Sequence, residues 1–206
     1  MSLAKPIVLY RYRLSGHCHR VELLLRMLGL PHEIREIDLP SGEQRQPAFL
    51  ALNPFGQVPV IDDSGTVVSD SNAILVYLAL RYDDGSWLPR DPVGAARVQR
   101  WLSLAAGPLA FGAARARAVR VFRRATDPAE AIATAQALFT RMDELLEGEG
   151  FLAGATPTIA DLAMYAYTAH APEGDISLEP YPRLRAWLAR VQALPGFIAM
   201  PASRLG

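Results

Sequence analysis

Residues 13–20, Arg-Leu-Ser-Gly-His-Cys-His-Arg, bring a hydroxyl, two imidazoles and the chain's single thiol together just ahead of an apolar helical repeat. Three chemistries are open to such a cluster. Cys18 is a candidate nucleophile or redox thiol, although a lone cysteine is often just a small buried apolar side chain. His17-Cys18-His19 has the composition of a metal site. Successive helical residues project about 100° apart, however, so the three side chains do not converge on one ion and no metal is expected. Ser15 sits where a helix N-cap belongs, and its hydroxyl can accept from the backbone while donating its own proton to an anion.

Other groups carry chemical interest. In residues 53–61, NPFGQVPVI, Pro59 falls where the pattern wants a strand. Either a trans proline precedes the strand, or a cis Val58-Pro59 bond turns the Val58 N–H and C=O outward to pair with an extended ligand. Asp70-Ser71 opens a helix, and a capped helix N-terminus is itself an anion site. Between Asp91 and Asp127 there are seven arginines and no acidic residue. Arg117, Arg120 and Arg124 lie within about 60° of one another on a helix, forming a basic stripe that is either a solvated face or a site for an anionic substrate.

These residues need a scaffold. "PIVLY" (6–10) reads as a strand, followed by a helix with Val21, Leu24, Leu25 and Leu28 on one face and a stop at Gly29 and Pro31. "HEIREIDL" (32–39) reads as a second strand, "VPVI", "DDSG" and "TVV" as a hairpin, and 72–82 as a helix. "DDGSWLPRDP" (83–92) breaks every period and reads as a linker. Beyond it the signals are helical: a long helix to Arg124 with a kink at Gly107-Pro108, a helix capped by Asp127 with Pro128 first, a helix opened by the capping box Thr158-Ile-Ala-Asp161, and an amphipathic helix over 181–194.

Composition narrows the field. Twenty-one basic and 21 acidic residues cancel, so the overall charge points to neither nucleic acid nor an anionic membrane. One cysteine forms no internal disulfide, no run of apolar residues is long enough to span a bilayer, and no leader pattern opens the chain. A cytoplasmic protein is expected.

The order of elements, with "SGHC" starting the first helix, "QVP" before the hairpin and "DS" opening the next helix, resembles the thioredoxin-like domain of glutathione S-transferases. The second half, through "FLAGATPTIADL" and "YPRLRAWLARVQALPGF", resembles the same family's helical domain. The resemblance implies an α/β plus all-α fold: a thioredoxin-like glutathione-binding domain over 1–82 with Pro59 cis, a linker over 83–92, and a helical domain over 93–206 that supplies the electrophile pocket.

It also implies roles. At the four positions of the superfamily's Cys-x-x-Cys motif this chain has Ser15-Gly16-His17-Cys18. A leading serine forms no mixed disulfide and is suited to activating the thiol of bound glutathione. A thiol of pKa near 8.5 is only about 3% ionised at pH 7, and a drop of about two units costs roughly 2.7 kcal/mol, within reach of one hydrogen bond to the thiolate plus a helix N-terminus. The resemblance further places Asp70 at the γ-glutamyl ammonium and Ser71 at the neighbouring carboxylate. Val58 then pairs with the cysteinyl backbone beside Gln57, and Gln44 and Arg45 hold the glycine carboxylate. Arg117 and Arg120 border the electrophile pocket, and Phe55 reaches into the partner of a homodimer. The alternatives are a non-catalytic module on the same fold, thiol-disulfide exchange through Cys18, and an activity of maleylacetoacetate isomerase type, whose second serine this chain lacks.

Overall fold

Alternation of apolar side chains makes Ile7 and Leu9 the inward residues of the first strand, and the chain is built outward from there. A computed structural model describes residues 5–148 and 150–203. It opens with β1 (Ile7–Arg11), α1 (Gly16–Met27) and β2 (His32–Glu36), in which β2 pairs parallel to β1. β3 (Val60–Asp63) and β4 (Thr66–Ser69) form the hairpin, giving a four-stranded sheet of order β2-β1-β3-β4 with β3 antiparallel to both neighbours. α3 (Ser71–Tyr82) packs beside α1 under the sheet. The second strand ends before the expected Leu39 because its charged, exposed residues form a sheet edge, while Ile37 turns inward onto Phe49 and Val60. Part of the stretch expected to be irregular is a 3₁₀ turn at Glu43–Arg45 followed by a short α2 (Pro47–Leu50).

Asp83 pins the linker by accepting from the backbone N–H groups of Gly85 and Trp87 at 3.0 and 2.8 Å. Beyond it come α4 (Pro92–Leu104), a π-helical segment at Ala105–Ala114, α5 (Arg115–Val121), α6 (Ala129–Leu145), α7 (Ile159–Ala169) and α8 (Pro182–Gln192), with a 3₁₀ turn at Ala171–Gly174 after α7. The kink expected at Pro108 is instead a run of wide π turns. Proline has no N–H to give and crowds the carbonyl four residues back, and widening the helix absorbs that misfit. Gly112 makes this segment fit, since a Cβ there would stand 2.8 Å from the backbone nitrogen of Ala135 on α6. One apolar core runs from Leu9 and Leu24 through Leu75 to Trp101, Leu162 and Trp187, so the two halves share it.

α7 carries the centre of the helical half. Thr158 and Asp161 form the expected capping box, but Asp161 does more than cap. Its fully buried carboxylate accepts from the N–H groups of Thr158 (2.8 Å) and Leu152 (3.0 Å) and from the Trp187 indole (2.8 Å). Burial raises its pKa against the pull of these donors. Replacing it by alanine strands several buried donors, each costing about 1–3 kcal/mol. Asp161→Ala is therefore expected to lose about 3–5 kcal/mol by urea denaturation, with Asp161→Asn losing less.

Candidate active site

Two helix N-termini and one loop converge on a cleft of about 470 Å³. Ser15 is the N-cap of α1, its Oγ 3.4 Å from the Cys18 N–H, and it leaves the turn after β1 half-buried. The opposite wall is the loop before β3. There the Val58-Pro59 bond is cis, and among the described residues the Val58 N–H and C=O have no hydrogen-bond partner. Asn53, buried, braces that loop by donating to the Gln57 carbonyl at 2.8 Å and accepting the Phe55 N–H at 3.1 Å. Gly56 has φ 60°, and a Cβ on it would meet the Gln44 carbonyl at 3.0 Å, so a side chain there would push Gln44 off the cleft.

The floor is the start of α3. Asp70 caps it with one carboxylate oxygen, 2.9 Å from both the Asn72 and Ala73 N–H groups, at a backbone φ of 72° and ψ of 126°. This left-handed backbone strains a non-glycine residue by an order of 1–3 kcal/mol and points to a functional constraint. Two of the α3 amides expected for a ligand carboxylate are thus taken by Asp70 itself. The Ser71 hydroxyl accepts from buried Arg20 at 3.1 Å and also lies 3.4 Å from the His17 Nδ1.

Ser15, Gln44, Phe55, Gln57, Val58, Pro59, Asp70 and Ser71 all line this one cleft. The buried Gln44 Oε1 has no partner among the described residues. Other expected members lie elsewhere. Arg45 lines an adjoining hollow with Tyr12 and Phe122. Cys18 is buried away from the cleft, with Sγ 3.4 Å from the Tyr12 N–H, and desolvation pushes its thiol up to about 11, the wrong direction for a reactive thiolate. Arg117 is not on an open stripe: 2% exposed, it bonds Glu173 at 2.8 Å and the carbonyl of Leu14 at 2.9 Å, tying the helical half to the turn that presents Ser15. Arg120 pairs with Asp175 at the surface. Among the described residues no group of three His, Cys, Asp or Glu side chains converges as a metal site would require.

Four contributors escape motif reading. Arg20 is buried and bridges the Ser71 hydroxyl and the Asn72 side-chain oxygen (2.9 Å); desolvation lowers its pKa only to about 10, so it stays charged at neutral pH. His17 packs edge-on to Tyr167 at 5.0 Å between ring centroids. Burial, with a further push from the Arg20 charge, takes its pKa down to about 3, leaving it neutral. Tyr167 lies over Gly16, where a Cβ would come within 2.9 Å of its ring, and burial raises its phenol. Arg124 borders the cleft from the helical half. His17 and Arg20 stand in the opening cluster and Arg124 on the expected basic stripe, which marked the residues but not their places at the cleft; Tyr167 is brought in by tertiary packing alone.

A thioredoxin-like domain whose serine-led first helix faces a cis-proline loop, joined to an all-helical domain, defines a class of glutathione-using transferases. The chain belongs to the glutathione S-transferase family. Residues 14–81 match the N-terminal domain of that family and residues 102–195 its C-terminal domain. The chain is 33% identical to glutathione S-transferase 3 of Zea mays, the match covering 93% of this chain and 91% of that one. A crystal structure of a glutathione S-transferase from Pseudomonas fluorescens superposes with a TM-score of 0.89 at 32% identity, covering 95% of this chain and 99% of that one. A glutathione transferase homolog of Drosophila mojavensis, solved with bound glutathione, superposes at 0.82 and 27% identity, over 92% of this chain and 89% of the other.

The two arginines first set side by side on one stripe should separate on mutation. Arg117→Met breaks a buried pair and is expected to cost about 3 kcal/mol or more. Arg120→Met breaks an exposed one, and chemical denaturation should show a loss below about 1 kcal/mol.

Proposed function

We propose that Ser15 is the residue that activates glutathione in this transferase, and that the surrounding cleft holds the tripeptide extended. The observation that carries the reading is the convergence of the Ser15 hydroxyl, the unpaired Val58 backbone and the Asp70-Ser71 helix start on one cleft. On binding, the cysteinyl backbone adds to Val58 as a strand would, and the γ-glutamyl end meets Asp70 through its ammonium and Ser71 through its carboxylate. Gln57 and the unpaired Gln44 oxygen complete the polar rim, with Arg45 reaching the glycine carboxylate from the adjoining hollow.

The chemistry needs no group beyond these. The thiol proton leaves to solvent, and the thiolate is held by the Ser15 O–H and the positive end of α1. Buried Arg20, charged at neutral pH, adds to the positive field. The sulfur lone pair then forms a C–S bond at an electrophilic carbon, and the leaving group departs with the electrons of the bond it breaks. The placement and raised pKa of Cys18 argue against thiol exchange as the main activity. The chemistry suits the cytoplasm, where a thiol-reducing environment prevails.

Phe55, 83% exposed at the tip of the loop that Asn53 braces, is the candidate contact of a homodimer. Sedimentation at micromolar concentration should show a dimer, and Phe55→Ser should shift it toward monomer; a monomeric native protein contradicts this assembly.

Ser15→Ala should leave glutathione binding measurable by calorimetry while raising the thiolate pKa of the complex by about one to two units. It should lower kcat/KM for conjugation at pH 7 by about 10- to 100-fold. An unchanged thiolate pKa would remove Ser15 from the mechanism.

A further inference from the structure

A second pocket, of about 450 Å³, adjoins the glutathione cleft through two shared residues, His17 and Arg124. Its walls are small and apolar or aromatic: Phe111, Ala114, Ala118 and Val119 from the helix that runs into α5, with Tyr167 from α7. Phe111 is exposed, and Tyr167 is buried beneath the pocket. Such walls accept a flat apolar body. Its charged lining is of one sign. Arg115, at the start of α5, and Arg124, in the turn after it, both line the pocket, and no acidic residue does. His17 is neutral, because burial holds its pKa near 3, and the Tyr167 phenol is pushed up and stays protonated.

The contrast with neighbouring arginines is informative. Arg117 and Arg120 on the same helix are neutralised by Glu173 and Asp175. Arg115 and Arg124 form no ion pair among the described residues, and the contact that Arg124 makes is with the Phe122 ring, 6.0 Å away. A guanidinium left unpaired beside an apolar hollow is poised for a carboxylate, sulfonate or similar anion.

We infer that the pocket formed by Arg115, Arg124, Phe111 and Tyr167 selects electrophiles with an apolar aromatic body and an anionic substituent. The inference rests on the transferase reading and names the substrate class of the pocket beside the thiolate. It also moves the basic recognition expected of Arg117 and Arg120 to Arg115 and to Arg124, the third arginine of the expected stripe.

The test compares 4-chloro-3-nitrobenzoate with 4-chloro-3-nitrobenzamide, which differ in charge but present the same reacting carbon, where the C–S bond forms and chloride leaves. The native enzyme should prefer the benzoate. In Arg115→Gln/Arg124→Gln the benzoate-to-benzamide ratio of kcat/KM should fall by about tenfold or more, the loss of at least one charge-assisted hydrogen bond. The double Lys variant, which keeps the charge, should recover part of the preference, and the native preference should shrink with added salt. Equal losses for the two compounds, or no native preference, would overturn the inference. If neither compound is turned over, the transferase reading fails separately. The inference is then decided by calorimetric binding of 3-nitrobenzoate against 3-nitrobenzamide: an anion preference that the Gln variant loses supports it, and equal affinities contradict it.

Discussion

A single buried guanidinium organises the site. Arg20, one turn into α1, donates through one nitrogen to the Ser71 hydroxyl and the Asn72 side chain at the start of α3, while its other two nitrogens have no partner among the described residues. Burying a charge is costly unless it is paired, so this arrangement requires compensation from its surroundings. The carboxylate of Asp70 provides part of it by attraction, raising the Arg20 pKa against the larger effect of desolvation. The result is a fixed positive charge behind two helix N-termini that both face the cleft. In the proposed mechanism an arriving thiolate meets a positive field already in place.

The supporting structure keeps that arrangement in register. Arg117 reaches from α5 to the Leu14 carbonyl, one residue before Ser15, and Glu173 holds Arg117 in place. Glu173 also accepts from Ser203, so the end of the described chain is tied to the same network. Separately, His19 on α1 holds the Ile198 carbonyl by a 2.9 Å contact. The turn carrying Ser15 is therefore held from the helical half as well as from its own sheet, a device that local sequence around Ser15 does not reveal.

Legibility in the sequence followed the range of the interactions. The strand-helix-strand opening, the hairpin, the α3 start and the capping box were visible because turn residues, periodicity and caps are local signals. The end of β2 was misplaced because an exposed edge strand lacks the alternation that marks a half-buried one. Pro108 signalled a disturbance, but whether it would appear as a kink or as π turns depended on Gly112 packing against α6. The cleft members Ser15, Val58, Asp70 and Ser71 sit at caps and at a proline, which made them conspicuous. Arg117 was misassigned for the opposite reason: helical angles place it beside Arg120, yet its partner Glu173 lies far along the chain and is brought near only by the fold. Arg124 was counted on the same stripe, but its place at the cleft, like that of Tyr167, is set by tertiary packing.

In the proposed mechanism the Ser15 hydroxyl, at the positive end of α1, holds the sulfur of glutathione. The most direct measurement is a crystal structure of this protein with glutathione. The sulfur is expected within hydrogen-bond distance of Ser15 Oγ, with the cysteinyl backbone paired with Val58 and the γ-glutamyl end at Asp70 and Ser71. A complex with the sulfur turned away from Ser15, or with the tripeptide outside the cleft, would contradict it.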